Sequence, residues 1–401
     1  MIDSRYYFKR SEIFFFLAWF LFLFSVLFES TALYQTQQFF LSALTKGLRY
    51  CAYLFCCFKI VYYNENVKKR SLAIFLFIVL CFAMSCIAST NKTMLLYLLV
   101  LIAAIGVDGN LIINFTARIQ GIFIAIVVIL SQIGILQDYV FGVGTDRVRH
   151  GLGFSWTTTG AILYFYFLLN YIFLRKEKFS VKEAVILEIF NLFFFRMTDS
   201  KMAFLLSSLF LLFFVIKSKL IENGKVISDS VHGKRLLLLI PIFLLFIAII
   251  TATFYDPSIH FMSSFNNTLS NRLELGHRAI ERYGFTLFGQ KIQWMGFSIK
   301  NPTLEAMTEY NYVDSSYLQL ALQYGLLFIL IVVGIYIYGI YQSIRENDSY
   351  LMAIYLIVLI FALVEPRLMN FAFNPFPLLI FSTISNNDEY PHKINEGECY
   401  D

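Results

Sequence analysis

Charged side chains are scarce in this sequence of 401 residues: Asp, Glu, Lys and Arg together make up only 15%, whereas apolar residues make up 58%. The aromatic fraction is also high, at 18%. A soluble domain of this length could not hide so much apolar surface from water. The composition therefore argues against a soluble enzyme and indicates a polytopic membrane protein.

The sequence contains no cysteine pattern and no common catalytic motif that would identify an active site. Six cysteines are present, five of them inside apolar runs, and their spacing matches neither a disulfide framework nor a zinc site. The sequence lacks a Walker loop, a glycine-rich dinucleotide fingerprint, an HExxH motif and a GxSxG motif. The net charge of +5 comes from loops rather than from one basic face, so it does not indicate nucleic-acid binding. These absences argue against a cytoplasmic nucleotide-dependent enzyme and predict no metal site.

Apolar runs of helix length, separated by short polar connections, fill most of the chain. A transmembrane helix needs about 20 largely apolar residues, and this criterion predicts about twelve helices, of which the seventh and twelfth are short. Their centres lie near residues 20, 52, 80, 100, 128, 164, 190, 209, 244, 328, 357 and 376. We therefore expect an all-α fold, with residues 1–385 forming one membrane domain and residues 386–401 a cytoplasmic tail.

Lys and Arg are distributed unevenly among the connections. If the N-terminus is inside, the inside segments carry 18 basic residues in 81 positions and the outside segments carry 12 in 114. Basic residues concentrate on the cytoplasmic side of membrane proteins. Both termini are thus predicted to be cytoplasmic, and the one long polar segment, residues 254–315, is predicted to face outward.

Residues 254–315 are rich in ionisable groups, and residues 271–283 within them show the pattern of a short amphipathic helix. The polar arc of this helix carries Glu274, His277, Arg278, Glu281 and Arg282. A solvated face with pairs such as Glu274–Arg278 is the simplest interpretation of that arc. Arg272 falls instead on the apolar side, where it should enter a protein cavity or cap the helix. It is the preferred basic ligand of this segment.

Carboxylates mark two further positions. Asp314 stands just before an apolar helix, where it is either an ordinary N-cap or a carboxylate at the membrane edge that accepts a proton from a substrate hydroxyl. Glu365 and Arg367 lie near the outer end of the last helical hairpin. A charge costs about 2.5–3.5 kcal/mol at the centre of a membrane helix, so such groups are usually paired with each other or functional.

Two outer connections carry cations against the expected charge bias. Arg147, Arg149 and His150 precede a helix, and they are either arginines that reach the lipid headgroups or an anion site suited to phosphate. A second short outer turn carries Arg196, Asp199 and Lys201. These three residues either join the charged cluster or only shape the turn.

Four stretches of sequence occur in a characteristic order. They are Arg149–Phe154 (RHGLGF), Asn271–Arg272 followed by Tyr283–Gly289 (YGFTLFG), Val313–Leu318 (VDSSYL) with Tyr324–Gly325, and Glu365–Arg367 (EPR) with Asn374–Phe376. In this order the chain resembles the Wzy-type O-antigen and capsular polysaccharide polymerases, which share a fold with the O-antigen ligases. The Arg-x10-Gly pattern of these polymerases is met by Arg149 with Gly160 and by Arg278 with Gly289. Ligases usually carry a histidine where Asp314 stands, which favours the polymerase.

The resemblance implies a glycosyltransferase-C-like fold in the bacterial cytoplasmic membrane. It implies that a growing glycan leaves undecaprenyl pyrophosphate and joins the non-reducing end of an incoming lipid-linked repeat unit on the outer face. Asp314, Arg272 and His277 would be catalytic, with Asp314 as the leading base. The pyrophosphate and glycan would be bound by Arg147, Arg149, His150, Arg278, Arg282, Glu365 and Arg367. No cofactor is implied, because the donor is already activated, and a chain-length regulator and a flippase are implied as protein partners.

Two alternatives remain open at this point. A polymer ligase of the same fold would transfer finished chains to another acceptor. A flippase or transporter would carry charged residues at mid-membrane and repeated halves with broken helices. Here the charges gather at the outer rim and no sequence repeat is visible, so the transporter ranks third.

Overall fold

The computed structural model describes residues 10–62, 69–144, 147–222, 235–297, 299 and 310–382. About 73% of it is helical and almost none is strand, which confirms the predicted all-α class. The predicted cytoplasmic tail, residues 386–401, lies outside the described residues.

The described part of the chain contains sixteen α-helices. They are α1 (Arg10–Glu29), α2 (Ala32–Thr36), α3 (Gln38–Tyr62), α4 (Lys69–Ser89), α5 (Thr93–Ala103), α6 (Gly109–Gln132), α7 (Thr159–Arg175), α8 (Val181–Thr198), α9 (Lys201–Glu222), α10 (Ile240–Thr253), α11 (His260–Thr268), α12 (Arg272–Tyr283), α13 (Ser316–Tyr324), α14 (Leu326–Arg345), α15 (Ser349–Phe361) and α16 (Phe376–Leu379). Two short strands, β1 (Val140–Phe141) and β2 (Arg149–His150), pair antiparallel between α6 and α7.

The helices fall where the apolar runs predicted them. The first eleven predicted centres lie inside α1, α3 to α10, α14 and α15, and the twelfth coincides with α16. With only four residues, α16 is too short to cross a bilayer. By length and composition, four helices of the described chain can cross a membrane, namely Glu12–Glu29, Gly109–Gln132, Lys201–Lys219 and Leu326–Arg345, and several shorter helices are also apolar. The number of spans therefore stays a prediction.

The surface of the bundle is apolar where a water-soluble protein would be polar. Ile126, Ile189 and Phe213, on three different helices, are each at least half exposed. Extended apolar surface of this kind marks contact with another apolar phase. Helices that are apolar on all sides are typical of membrane proteins, and we assign the chain to that class.

Contacts between helix ends bring several connections together at one end of the bundle. At one end, the Ser155 amide donates to the carbonyl oxygen of Ser30 (2.7 Å), which joins the end of α1 to the segment before α7. The Ser316 amide donates to the carbonyl oxygen of Ala362 (2.9 Å), which joins the start of α13 to the end of α15. We call this end, where the described residues of 137–158, 196–201, 254–315 and 362–375 meet, the loop end. These are connections that the charge count places outside.

A break between two helices anchors the long polar segment. Gly325 alone separates α13 from α14, with a φ of +96°, and Gly289 packs against it with a φ of +92°. The Gln290 amide donates to the carbonyl oxygen of Gln323 (3.0 Å). A Cβ atom on Gly289 would lie 2.3 Å from that carbonyl oxygen. Glycine is therefore required where the two backbones cross, and this crossing holds the end of the long segment against the bundle.

Candidate functional site

Helix α12 carries the basic residue that sequence analysis singled out. The helix occupies the segment predicted to be amphipathic, between Asn271 (φ +64°) and Gly284 (φ +64°). Arg272 Nε lies 3.0 Å from Asp314 Oδ2, and Arg272 Nη1 donates to the carbonyl oxygen of Leu269 (3.1 Å). The side chain is only 26% exposed. Arg272 is thus directed into the protein, as its position on the apolar face suggested, and it caps the end of the preceding helix, α11, rather than its own helix.

Asp314 is not an ordinary helix cap. The N-cap of α13 is Ser315, whose side chain forms no capping bond, and the side chain of Asp314 faces Arg272 instead. Burial raises the pKa of Asp314, and the guanidinium groups of Arg272 and Arg367 oppose that rise. The capping interpretation is therefore wrong. The carboxylate lies just before the helix without accepting a hydrogen bond from its amides, and 30% of its side chain remains accessible.

A second ion pair lies beside the first. Arg367 pairs with Glu365, which is 6% exposed, and its guanidinium carbon lies 4.9 Å from the centre of the Phe373 ring. Burial raises the pKa of Glu365, which Arg367 partly offsets and Asp314 increases further. The Ser316 hydroxyl donates to the carbonyl oxygen of Glu365 (2.5 Å), so this pair is held against the start of α13. Two carboxylates and two arginines thus share one site at the loop end.

A cavity of about 230 Å³ opens along α12 next to this site. It is lined by Leu275, Arg278, Ala279, Arg282, Tyr310 and Asn311. Burial raises the pKa of Tyr310, and the Asp314 carboxylate raises it further while Arg272 opposes the rise. Tyr310 therefore lies within electrostatic reach of the ion pair. The α12 cavity thus has two arginines and, in Tyr310, one wall residue that feels the charges of the ion pair.

A row of aromatic rings joins this cavity to the connection before α7. The Trp156 ring stacks on Phe297 at 5.6 Å between centroids, and Phe297 lies 4.8 Å from the ring of Tyr310. The guanidinium of Arg149 lies 5.6 Å from the centre of the Trp156 ring. Burial lowers the pKa of Arg149, nearby Arg147 lowers it further, and Asp199 opposes the drop. Among the cations predicted in this connection, Arg149 is the one that contacts this aromatic row.

The neighbours of Arg149 have partners of their own. Arg147 pairs with Asp199 in the turn between α8 and α9. His150 Nδ1 lies 2.6 Å from a carboxylate oxygen of Asp138, and the other oxygen of that carboxylate accepts from the Leu152 amide (2.7 Å). These contacts build the connection itself, including the short β1–β2 pair.

Two residues of the polar arc of α12 have partners other than Asp314. His277 Nδ1 contacts the carbonyl oxygen of Ala252 (2.9 Å) at the end of α10, and its Nε2 lies 3.3 Å from Glu281. His277 also lies about 140° around the helix from Arg272. Arg278 pairs with Glu274, as the spacing of four residues predicted. The structure therefore does not bring His277 to Asp314. Arg278 both pairs with Glu274 and lines the α12 cavity.

Sequence analysis did not single out several residues of this site. Tyr310 and Asn311 line the cavity, Trp156 and Phe297 form the aromatic row, and Asp138 holds His150. Tyr310 and Asn311 stand four and three residues before Asp314, so their closeness to a candidate carboxylate was a usable signal. Trp156 and Phe297 are 141 positions apart in the sequence, and no local pattern relates them.

Comparison of the chain with protein-family models, with curated proteins and with solved structures gave no match. Within the described residues, no group of three or more His, Cys, Asp or Glu side chains could hold a metal ion. The chemistry of the site therefore follows from its own geometry: two carboxylates paired with two arginines, beside a cavity lined by two further arginines and a tyrosine.

Proposed function

We propose that this chain is a membrane glycosyltransferase that acts on lipid-linked glycans at its loop end. Within that class, we propose a polysaccharide polymerase of the Wzy type. It transfers a growing glycan from undecaprenyl pyrophosphate to the non-reducing end of an incoming lipid-linked repeat unit. The observation that carries the proposal is the pairing of Asp314 with Arg272, beside Arg367 and a cavity lined by Arg278 and Arg282.

The charges of the site suit the departure of a pyrophosphate. When the bond between the anomeric carbon and the pyrophosphate oxygen breaks, the leaving group takes the electron pair, and negative charge grows on its oxygens. Arginine forks stabilise such oxygens through charge-assisted hydrogen bonds. Arg278 and Arg282 line the α12 cavity, where they would hold this group, and Arg272 pairs with the base.

The acceptor hydroxyl supplies the new glycosidic bond and must lose its proton. In this proposal its oxygen attacks the anomeric carbon while Asp314 accepts the proton. A general base works best when its pKa lies near the working pH, and burial moves the pKa of Asp314 upward in that direction. The aromatic row of Trp156, Phe297 and Tyr310 offers flat apolar faces on which sugar rings can pack.

The membrane arrangement belongs to the proposal as well. We place about twelve helices in the bacterial cytoplasmic membrane, with both termini in the cytoplasm and the loop end outside. Two observations support this: the connections with few basic residues meet at one end, and exposed apolar surface continues along the helices. The polyprenyl tail would lie along that apolar surface.

The two alternatives differ from the polymerase in measurable ways. A ligase transfers finished chains, so polymer would still form on the lipid carrier when the gene is deleted. A flippase moves single units across the membrane, so its loss would trap them inside. The ion pairs of this site lie in connections at helix ends, which favours chemistry at the membrane surface over transport through its middle.

The test is polymer formation by the full-length protein in membranes supplied with lipid-linked repeat units. We expect Asp314→Asn and Arg272→Gln each to abolish the polymer ladder on a gel, with single lipid-linked units accumulating on the outer face. Asp256→Asn and Arg345→Gln are matched controls, because these exposed residues form no hydrogen bond or ion pair with Asp314 or Arg272, and both should keep the ladder. A normal ladder from well-expressed Asp314→Asn and Arg272→Gln proteins would overturn the proposal.

A further inference from the structure

A second cavity lies at the loop end, in the turn between α8 and α9. Its volume is about 470 Å³, and it is lined by Arg147, Val148, Phe195, Arg196, Asp199 and Lys201. It shares no lining residue with the α12 cavity. Three of its six lining residues are cations and one is a carboxylate, so the cavity has a positive balance.

The tight turn explains why these cations converge. Helix α8 ends at Thr198 and α9 begins at Lys201, with Asp199 in the left-handed region at a φ of +49°. The buried hydroxyl of Thr198 donates to the carbonyl oxygen of Phe194 (2.7 Å) and is hydrogen bonded to the hydroxyl of Ser200 (2.8 Å), which stabilises the turn. Arg196, in the last turn of α8, and Lys201, in the first turn of α9, are therefore brought to one edge of the bundle.

The charge of this edge is only partly balanced within the described chain. Asp199 forms its ion pair with Arg147. The exposed side chains of Arg196 and Lys201 form no ion pair with any described residue. The start of α9, a helix of 22 residues, adds the positive end of its dipole to the same edge. An anion placed here would meet two cations and a helix start.

The apolar surroundings indicate that such an anion is carried by a lipid. Phe195 lines the cavity and stacks on Phe204 of α9 at 4.4 Å between ring centroids. Helices α8 and α9, which meet at the cavity, also expose large apolar side chains. These include Phe190, Phe193, Leu205 and Leu209. A molecule with a charged head in the cavity could therefore lay its apolar chains along the two helices.

We propose that the cavity of the α8–α9 turn binds the phosphate group of a membrane lipid. Arginine binds phosphate oxygens through its planar fork and lysine through a point charge, and both residue types line this cavity. Two lipids carry this chemistry: an anionic phospholipid of the surrounding bilayer and a polyprenyl pyrophosphate. The site is separate from the Asp314 centre, and the inference does not depend on the proposed glycosyl transfer.

The test is lipid binding by the full-length protein in detergent micelles, measured by native mass spectrometry. Phosphatidylglycerol, undecaprenyl pyrophosphate and inorganic phosphate are titrated separately. The Arg196→Gln/Lys201→Gln protein is compared with wild type and with Lys178→Gln/Lys182→Gln. That control removes the same charge from exposed residues at the opposite end of α8.

We expect at least one of the two lipids to bind about tenfold more weakly to the Arg196→Gln/Lys201→Gln protein than to wild type, with no change in the control. Whichever lipid shows the loss is the source of the phosphate. Equal affinity of both lipids for all three proteins would overturn the inference, as would an equal loss in the control. Inorganic phosphate that bound as tightly as the lipids, with the same dependence on Arg196 and Lys201, would overturn the lipid requirement. Polymer formation is not the measurement, so a failure here is distinct from a failure of the proposed function.

Discussion

Carboxylates at the two ends of the bundle do different work. At the end opposite the loop end, Asp348 pairs with Lys176 (2.8 Å) and also accepts from the Tyr350 and Leu351 amides at the start of α15. At the same end, Glu183 accepts from the Ser180 amide (2.8 Å) and completes the capping box of α8. These groups stabilise helix starts, a task that explains their position.

Asp314 stands at a helix start too, but its carboxylate faces an arginine and caps nothing. It is buried enough for its pKa to rise, which is an unfavourable place for a charge with no structural task. The comparison teaches that the ion pairs of this chain fall into two kinds. In one kind the carboxylate also caps a helix, and in the other it does not. A carboxylate without a capping role, next to a cavity, is the better candidate for chemistry.

The largest expected effect comes from removing the base. The Asp314→Asn protein should form glycosidic bonds at least about 100-fold more slowly than wild type, because a positioned general base commonly contributes about 10²- to 10⁴-fold. Initial rates with purified lipid-linked units would measure this. The proposed difference between the catalytic Asp314 and the structural Asp348 would be contradicted if Asp348→Ala lost as much activity per folded molecule as Asp314→Asn.

The next effect concerns the backbone crossing that holds the long segment at the loop end. Gly289→Ala should destabilise the protein by about 3 kcal/mol or more, because it adds overpacking to a left-handed φ. Thermal unfolding in detergent would show the change. Gly334→Ala is the matched control, since a Cβ there meets nothing within 4 Å and its melting temperature should stay the same or rise. Wild-type stability of Gly289→Ala would contradict the crossing.

The pH dependence sharpens the comparison further. The base acts as a carboxylate, so the rate should fall as the pH is lowered through the pKa of Asp314, about tenfold for each unit below it. Burial places that midpoint above the ordinary value of 3.8. The exposed Asp256 has a pKa lowered by hydrogen bonds from Ser258, so a limb due to Asp256 would lie below 3.8. Initial rates of wild type and Asp256→Asn should share the raised midpoint, and its loss in Asp256→Asn would reject Asp314.

The smallest effect belongs to the opposite end. Asp348→Ala should cost about 1 kcal/mol of stability, since it removes the cap of α15, together with the ion pair to Lys176. Denaturation in detergent would measure the loss, and the rate per folded molecule should match wild type. A fall in rate without a fall in stability would show that the two ends do not differ as described.

Much of the helical framework could be predicted from the sequence, because hydrophobic runs depend only on neighbouring residues. Eleven predicted centres fall inside long helices, yet the predicted helix near residue 328 concealed a break. Tyr324 and Gly325 belong to an apolar run, and nothing local distinguishes a glycine within a helix from one that ends it. The break exists because residues 286–290 cross there and bring Gly289 against Gly325, which lies 36 positions further along the chain.

The candidate site was also predictable only in part from the sequence. Helical periodicity determines which side of α12 each residue occupies. For that reason the sequence alone placed Arg272 off the polar face and paired Arg278 with Glu274. Periodicity cannot determine what Arg272 meets. His277 shared the polar arc, yet it packs against the end of α10.

The sequence by itself determined the membrane class, the positions of most helices and the face of α12 that carries Arg272, since each depends on composition or on spacing within one segment. Only the tertiary structure decided that Arg272 meets Asp314, that Trp156 reaches Phe297 and that two separate cavities open at the loop end. These contacts join residues from distant segments. Their geometry depends on how all the helices pack together, which no local pattern encodes.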